Sequence, residues 1–182
     1  MAVVYRGPAA QARSRARPAP AHGAPGDTGH PWVAERPRPA VAPYAARVRI
    51  AFGTDERTDV TDRIKAALVE RGHEVAVVGE GDPWPDVGRS VGEAVAGGDA
   101  DRGVVCCWTG TGVSMAANKV PGVRAALCTD PETAAGARRW NDANVLALGL
   151  RLTSPALADE MLDAFLATDP EADEAANIAK LA

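Results

Sequence analysis

Several classes of protein are excluded by what this chain lacks. Lys and Arg number 20 against 24 Asp and Glu, a formal net charge of −4. There is no basic surface with which to neutralise a nucleic-acid backbone. No run approaches the roughly 18 apolar residues of a membrane helix. Three cysteines, two of them adjacent, are too few for a disulfide framework and point to a reducing compartment, the cytoplasm. No CxxC or Cys/His cluster has metal-ligand spacing, and no cofactor is expected. The first residues lack the apolar core of a secretory signal. What remains is a chain of 182 residues, 46% hydrophobic, which suits one mildly acidic globular domain with some length to spare.

That spare length is at the front. Residues 1–46 hold eight prolines among Ala, Gly and Arg, and carry no helical or strand period. They read as a disordered, weakly basic extension. Residues 47–182 read as the folded α/β domain. Strands are expected at Val48–Phe52, Glu74–Val78, Gly103–Cys107, Val123–Cys128 and Asn144–Leu148. Helices are expected over 58–71, from Asp86 to Ala96, through Asn118, over 131–139 and over 155–166, with a short helical tail. Gly79 to Asp86 reads as a loop broken by Pro83 and Pro85. The strand runs are nearly all apolar and alternate with helices. That pattern predicts a doubly wound, Rossmann-like, five-stranded parallel sheet with helices on both faces. In the order 2-1-3-4-5 the switch point falls between the first and third strands, whose carboxyl ends carry Asp55 and Cys107.

The stretch Val104-Val105-Cys106-Cys107-Trp108-Thr109-Gly110-Thr111-Gly112-Val113-Ser114 concentrates the chemistry. An apolar strand ends in a thiol, glycines turn the chain, and a helix begins. The first helical N–H groups have no partner within the helix and point at whatever fills the loop. A helix N-terminus also lowers a thiol pKa, which favours a reactive Cys107 over a plain buried one. Cys106 points to the other face of the strand and goes to the core, as does Cys128. The loop lacks the Lys-Ser/Thr of a phosphate-binding P-loop, and Met115 stands where a dinucleotide fingerprint needs its third glycine. Asp55 is either a helix-start residue or a contact for a substrate hydroxyl. Trp140-Asn141-Asp142-Ala143-Asn144 is either an ordinary turn or, being assigned to the same sheet edge as Cys107, a source of ligand contacts through Asn141.

These residues resemble a known family. Cys107 to Ser114 is similar to the Cys-Gly-Thr-Gly loop of the type B ribose-5-phosphate and galactose-6-phosphate isomerases. Ala116-Ala117-Asn118-Lys119-Val120-Pro121-Gly122-Val123-Arg124-Ala125-Ala126-Leu127-Cys128 matches the family's next block. Asn141-Asp142-Ala143-Asn144-Val145-Leu146-Ala147-Leu148-Gly149 matches a third. Gly53-Thr54-Asp55 resembles its opening Gly-x-Asp-His. The likeness spans about residues 47–168. It implies interconversion of an aldose and a ketose through an enediolate, without metal, in a homodimer with active sites at the subunit interface. Carried over, Cys107 is the base that moves a proton between C1 and C2, and Thr109 is the second catalytic side chain. Backbone N–H groups of Gly110, Thr111, Gly112, Val113 and Ser114 hold the enediolate oxygen. Asp55, Thr109 and Asn141 meet substrate hydroxyls.

The departures from the family are specific. Glu56 replaces a His after Asp55, Trp108 replaces a Gly after the cysteine, and Trp140 replaces a His before the Asn-Asp-Ala-Asn block. That His assists ring opening in the family, and an indole exchanges no proton near neutral pH. The family's basic tail is replaced by Thr168-Asp169-Pro170-Glu171-Ala172-Asp173-Glu174, and no Arg follows Arg151. A phosphate needs cationic or N–H donors, so the usual phosphate clamp is missing. The expected substrate is a small sugar with a neutral or cationic group where the phosphate normally sits, against a wall formed by Trp108 and Trp140. Arg57, Arg138 and Arg139 are candidates to restore phosphate binding, or plain exposed helix arginines. Two other readings remain open: a non-catalytic binding or partner subunit of this fold, and an ordinary ribose-5-phosphate isomerase.

Overall fold

A computed structural model describes residues 3–5 and 47–181. The expected disordered extension therefore lies, for residues 1, 2 and 6–46, outside the described residues. Five parallel strands form the sheet: β2 (Arg49–Thr54), β3 (Glu74–Glu80), β4 (Arg102–Cys107), β5 (Ala125–Cys128) and β6 (Val145–Gly149). A sixth, β1 (Val3–Tyr5), runs antiparallel along the outer edge of β3, with Val4 opposite Ala76. This strand lies within the stretch read as a disordered extension, which is corrected for residues 3–5.

Helices follow each parallel strand: α1 (Asp59–Glu70), α2 (Trp84–Ala96), α3 (Thr111–Ala117), α4 (Pro131–Asn141) and α5 (Pro155–Ala167). The tail ends in short turns around α6 (Ala175–Ile178). Among the described residues no helix is long and apolar enough to cross a membrane. Alternate strand residues feed two cores. Ile50, Phe52, Val104, Cys106, Leu146 and Leu148 meet Ile64, Leu68, Met161 and Phe165 of α1 and α5. Ala51, Val105, Cys107 and Ala147 meet Val87 and Val91 of α2 and Val113 of α3. A sheet buried on both faces explains the continuous apolar strands.

Local chemistry sets the helix ends. Thr58 and Thr61 cap α1 reciprocally, each side chain bonding the other's backbone N–H. The helix start expected at Asp86 is corrected to Trp84. Pro85 sits in the first turn, where a missing N–H costs nothing, so the prolines open α2 and do not break a loop. Strand β3 likewise runs on to Glu80.

The expected strand order 2-1-3-4-5 is corrected. The observed order is β3-β2-β4-β6-β5, which in the same count is 2-1-3-5-4. Val145 to Leu148 are all fully buried, whereas Ala125, Ala126 and Leu127 are half-exposed. The strand buried on both sides takes the inner place. At the outer edge the Asn118 side chain imitates a neighbouring strand: its amide donates to the Ala125 carbonyl and accepts from the Ala125 N–H, both at 2.8 Å. The switch point between β2 and β4 is where it was expected.

Candidate active site

Strand register brings Asp55 and Cys107 together. Thr54 of β2 pairs with Cys106 of β4, and the Asp55 N–H continues the ladder to the Cys106 carbonyl at 3.4 Å. Asp55 and Cys107 follow that pair on adjacent strands, which lie about 4.8 Å apart. Cys107 is 5% exposed, at the rim of the α2–α3 side, while Cys106 is sealed in the opposite core. The alternation expected for the two thiols holds. The Asp55 Oδ1 atom is buried and has no hydrogen-bond partner. Burial pushes the Asp55 carboxyl above its ordinary range; its own backbone N–H opposes this, and the charge of Glu56 adds to the rise. A buried acceptor left open at a switch point is a place for a ligand donor.

The loop after Cys107 is built to a tight specification. Gly110 has φ 74°, and a Cβ there would stand 2.5 Å from Leu127 Cδ1 and 2.8 Å from Gly149 N. The chain beyond β6 grips the loop from below: Leu150 N–H donates to the Cys107 carbonyl and Arg151 N–H to the Trp108 carbonyl. Thr109 and Thr111 share a hydroxyl–hydroxyl bond of 2.7 Å at the surface. Gly110 N–H donates to the Cys107 carbonyl and Ser114 N–H to the Gly110 carbonyl. Of the five backbone donors expected from the sequence, those two are therefore occupied. Thr111, Gly112 and Val113, the first turn of α3, have no carbonyl of their own helix to donate to.

Trp108 is 58% exposed beside this loop. A second exposed indole was missed in the sequence. Trp84, at the start of α2, lies over Gly112, where an added Cβ would meet its ring at 2.9 Å. Its only sequence signal was a Trp between two prolines, hidden by reading that segment as loop. Glu56 is exposed next to Asp55. A cavity of about 130 Å³ adjoins the loop, lined by Trp108, Thr109, Cys128, Thr129, Arg151 and Leu152. It is smaller than the roughly 300 Å³ at which ligand pockets usually begin.

The assignment of Trp140 and Asn141 to this edge is corrected. Helix α4 runs back across the sheet, so its last turn, which holds both residues, reaches the amino ends of the strands. Cys107 pairs with Gly149, four residues beyond Val145, about 13 Å along the strand. Asn141 precedes Val145 and borders a separate open depression of about 420 Å³ with Asn118, Arg124 and Leu181. The helix extends past Arg139 because Arg138 satisfies its end. Its guanidinium donates to the Ala143 carbonyl at 2.7 Å and to the Asp142 carboxylate at 2.6 Å. Arg124 holds the other Asp142 oxygen at 2.7 Å. Asp142 itself adopts a left-handed φ of 44°.

None of the three candidate phosphate arginines stands ready. Arg138 is 2% exposed and committed to this corner, which corrects its reading as an exposed helix arginine. Arg139 lies over the Trp140 ring and reaches Glu171 at 3.5 Å, tying the acidic tail to α4. Arg57 bonds Asp62.

A thiol, a half-buried carboxylate with one buried oxygen and open N–H donors stand at the switch point of a doubly wound sheet. The switch point of such a sheet is where α/β proteins of this architecture bind small ligands, which makes this the candidate site. The sequence model of a family described as Ribose/Galactose Isomerase matches residues 50–181. Over 128 residues the chain is 43% identical to ribose-5-phosphate isomerase B of Escherichia coli, covering 68% of this chain and 86% of that one. It is 39% identical over 123 residues to D-erythrulose-4-phosphate isomerase of Pectobacterium atrosepticum, covering 64% of this chain and 81% of that one. The solved ribose-5-phosphate isomerase B of Clostridium thermocellum superposes with a TM-score of 0.68 at 38% identity, covering 73% of this chain and 94% of that one. The chain belongs to the ribose/galactose isomerase family.

Proposed function

We propose that the protein is a cofactor-independent aldose–ketose isomerase of small sugars, with Cys107 as its base. The carrying observation is the convergence of Cys107, the open buried oxygen of Asp55 and the first turn of α3. The Cys107 thiolate takes the proton from C2 of the open-chain aldose. The C–H electron pair forms the C1–C2 double bond, and the carbonyl oxygen becomes the enediolate oxyanion. The N–H groups of Thr111, Gly112 and Val113 meet that charge, each donor worth roughly 3 kcal/mol in such a role. The thiol then returns the proton to C1 while the O2 proton passes to the O1 oxyanion, which gives the ketose and regenerates the thiolate. No net oxidation occurs. Asp55 accepts from a substrate hydroxyl, and Thr109 contacts a second.

The site is completed in a homodimer. The cavity beside Trp108 and Thr109 is too small to enclose a sugar, and Trp140 and Asn141 stand at the far edge of the same chain. A second copy can bring its own Trp140 and Asn141 to the Cys107 crevice. The substrate carries no phosphate at the usual end. Glu56, exposed next to Asp55, puts a carboxylate where a phosphate would need a cation. One observation favours ordinary ribose 5-phosphate turnover instead: Arg151 is exposed at the cavity beside Trp108.

Proton NMR in D2O tests these readings. Exchange at the carbon next to the carbonyl is followed for ribose 5-phosphate and for unphosphorylated tetroses, pentoses and amino sugars. Exchange in unphosphorylated sugars alone, abolished by Cys107→Ala, supports the proposal. Exchange with ribose 5-phosphate that Arg151→Ala removes would restore the ordinary reading. Silence throughout would leave a non-catalytic binding subunit.

A further inference from the structure

We propose that Thr54 is a positioning residue, whose hydroxyl locks the Asp55–Glu56 turn and keeps the Asp55 carboxylate beside Cys107. The inference rests on the isomerase reading, in which Asp55 meets a substrate hydroxyl. Thr54 ends β2, is fully buried, and shares the face of Ile50 and Phe52. Its neighbour Asp55 is thereby turned toward the opposite face, the side of Cys107.

The hydroxyl works in both directions. It donates to the Glu56 carbonyl at 2.7 Å and accepts from the Glu56 N–H at 3.3 Å. A short side-chain hydroxyl can close such a turn by bonding the backbone two residues on, as donor and acceptor together. The main chain holds the peptide before the turn, since the Gly81 N–H donates to the Thr54 carbonyl at 2.9 Å and the Asp55 N–H reaches the Cys106 carbonyl at 3.4 Å, and the hydroxyl holds the turn itself. Meanwhile the carboxylate has a reason to leave. Its buried oxygen lacks a partner and would gain water by swinging outward. Glu56 adds like charge, and Arg57 is held by Asp62. The Thr54 hydroxyl opposes that escape through the backbone, because it holds both the N–H and the carbonyl of Glu56.

Thr54→Val keeps the branched shape and removes the hydroxyl. Thr54→Ala is the second variant should valine disturb folding, and Thr54→Ser restores the hydroxyl. In the resting protein, NMR titration of the Asp55 carboxyl carbon is expected to move toward the ordinary aspartate range in Val or Ala. Faster exchange of the Glu56 amide should accompany it, and Ser should reverse both. For the sugar that exchanges, kcat/KM should fall about tenfold and recover to within about twofold in Ser. A folded Val or Ala variant with an unmoved Asp55 titration would overturn the proposal. The NMR result is independent of turnover, so silence toward every sugar tested would sink the isomerase reading alone.

Discussion

Asp55 is kept in the molecule at a cost to stability. A carboxyl whose folded pKa lies above its unfolded one binds its proton more tightly in the folded state. Its ionisation therefore removes stability as pH rises through that range, and the deficit is complete above it. Asp55→Asn should raise Tm at pH 7 by about 2–4 °C, on the order of 1 kcal/mol. The advantage should vanish below the unfolded aspartate pKa of about 3.9. Thermal melts at pH 7 and pH 3 check both limits, and equal Tm values at pH 7 would refute the claim. The same variant should lose at least tenfold in exchange activity, a trade expected of a functional residue. The thiols offer a second measurement. Burial holds Cys106 above the ordinary thiol range and pushes Cys128 up to about 12. Neither forms much thiolate at pH 8, and the thiolate is what reacts. Iodoacetamide on the folded protein should mark Cys107 at the crevice and reach Cys106 and Cys128 only on unfolding. Peptide mass mapping that found Cys128 labelled first would contradict this.

The β4–α3 junction shows why element-scale detail is unevenly legible. Its strand, turn and helix were readable because a valine run favours a strand, glycines permit a sharp turn and the small residues after them suit a helix. The necessity of Gly110 was readable only in part: the turn implied it, but the press of Leu127 and Gly149 is tertiary. Gly110→Ala combines a left-handed φ with that collision and should cost about 3 kcal/mol or more. Gly72→Ala has a similar φ of 84° but nothing within 4 Å, and should cost only about 1 kcal/mol. Urea titration of the two variants separates strain from collision, and equal losses would mean that the collision is relieved by movement. Strand order was less legible than strand existence. Val145 to Leu148 and Ala125 to Cys128 are both apolar, and their places depend on burial and on the edge cap from Asn118. The ends of α2 and α4 were misjudged because Pro85 suits a first turn and Arg138 caps from within.

For the whole molecule, the carboxyl-edge half of the site was legible in one chain, since register follows from the doubly wound topology. The placement of Asn141 was not, because a turn that precedes a parallel strand lies at the opposite edge from the loop that follows one. That separation yields a test of assembly. Cys107 and Asn141 lie at opposite edges of their own sheet. If catalysis needs both, the pair must come from two chains related by a twofold axis. Cys107→Ala and Asn141→Ala homodimers should each be nearly inactive, since every site lacks one group. Unfolded together and refolded at equal concentration, they form mixed dimers in about half the population. Each mixed dimer holds one site with both residues intact and one with neither. Activity should return to about a quarter of the native level, and sedimentation should show one dimeric species throughout. A mixture that stays as inactive as its components, while still dimeric, would mean that Asn141 serves its own chain's fold and that the crevice is completed by other groups.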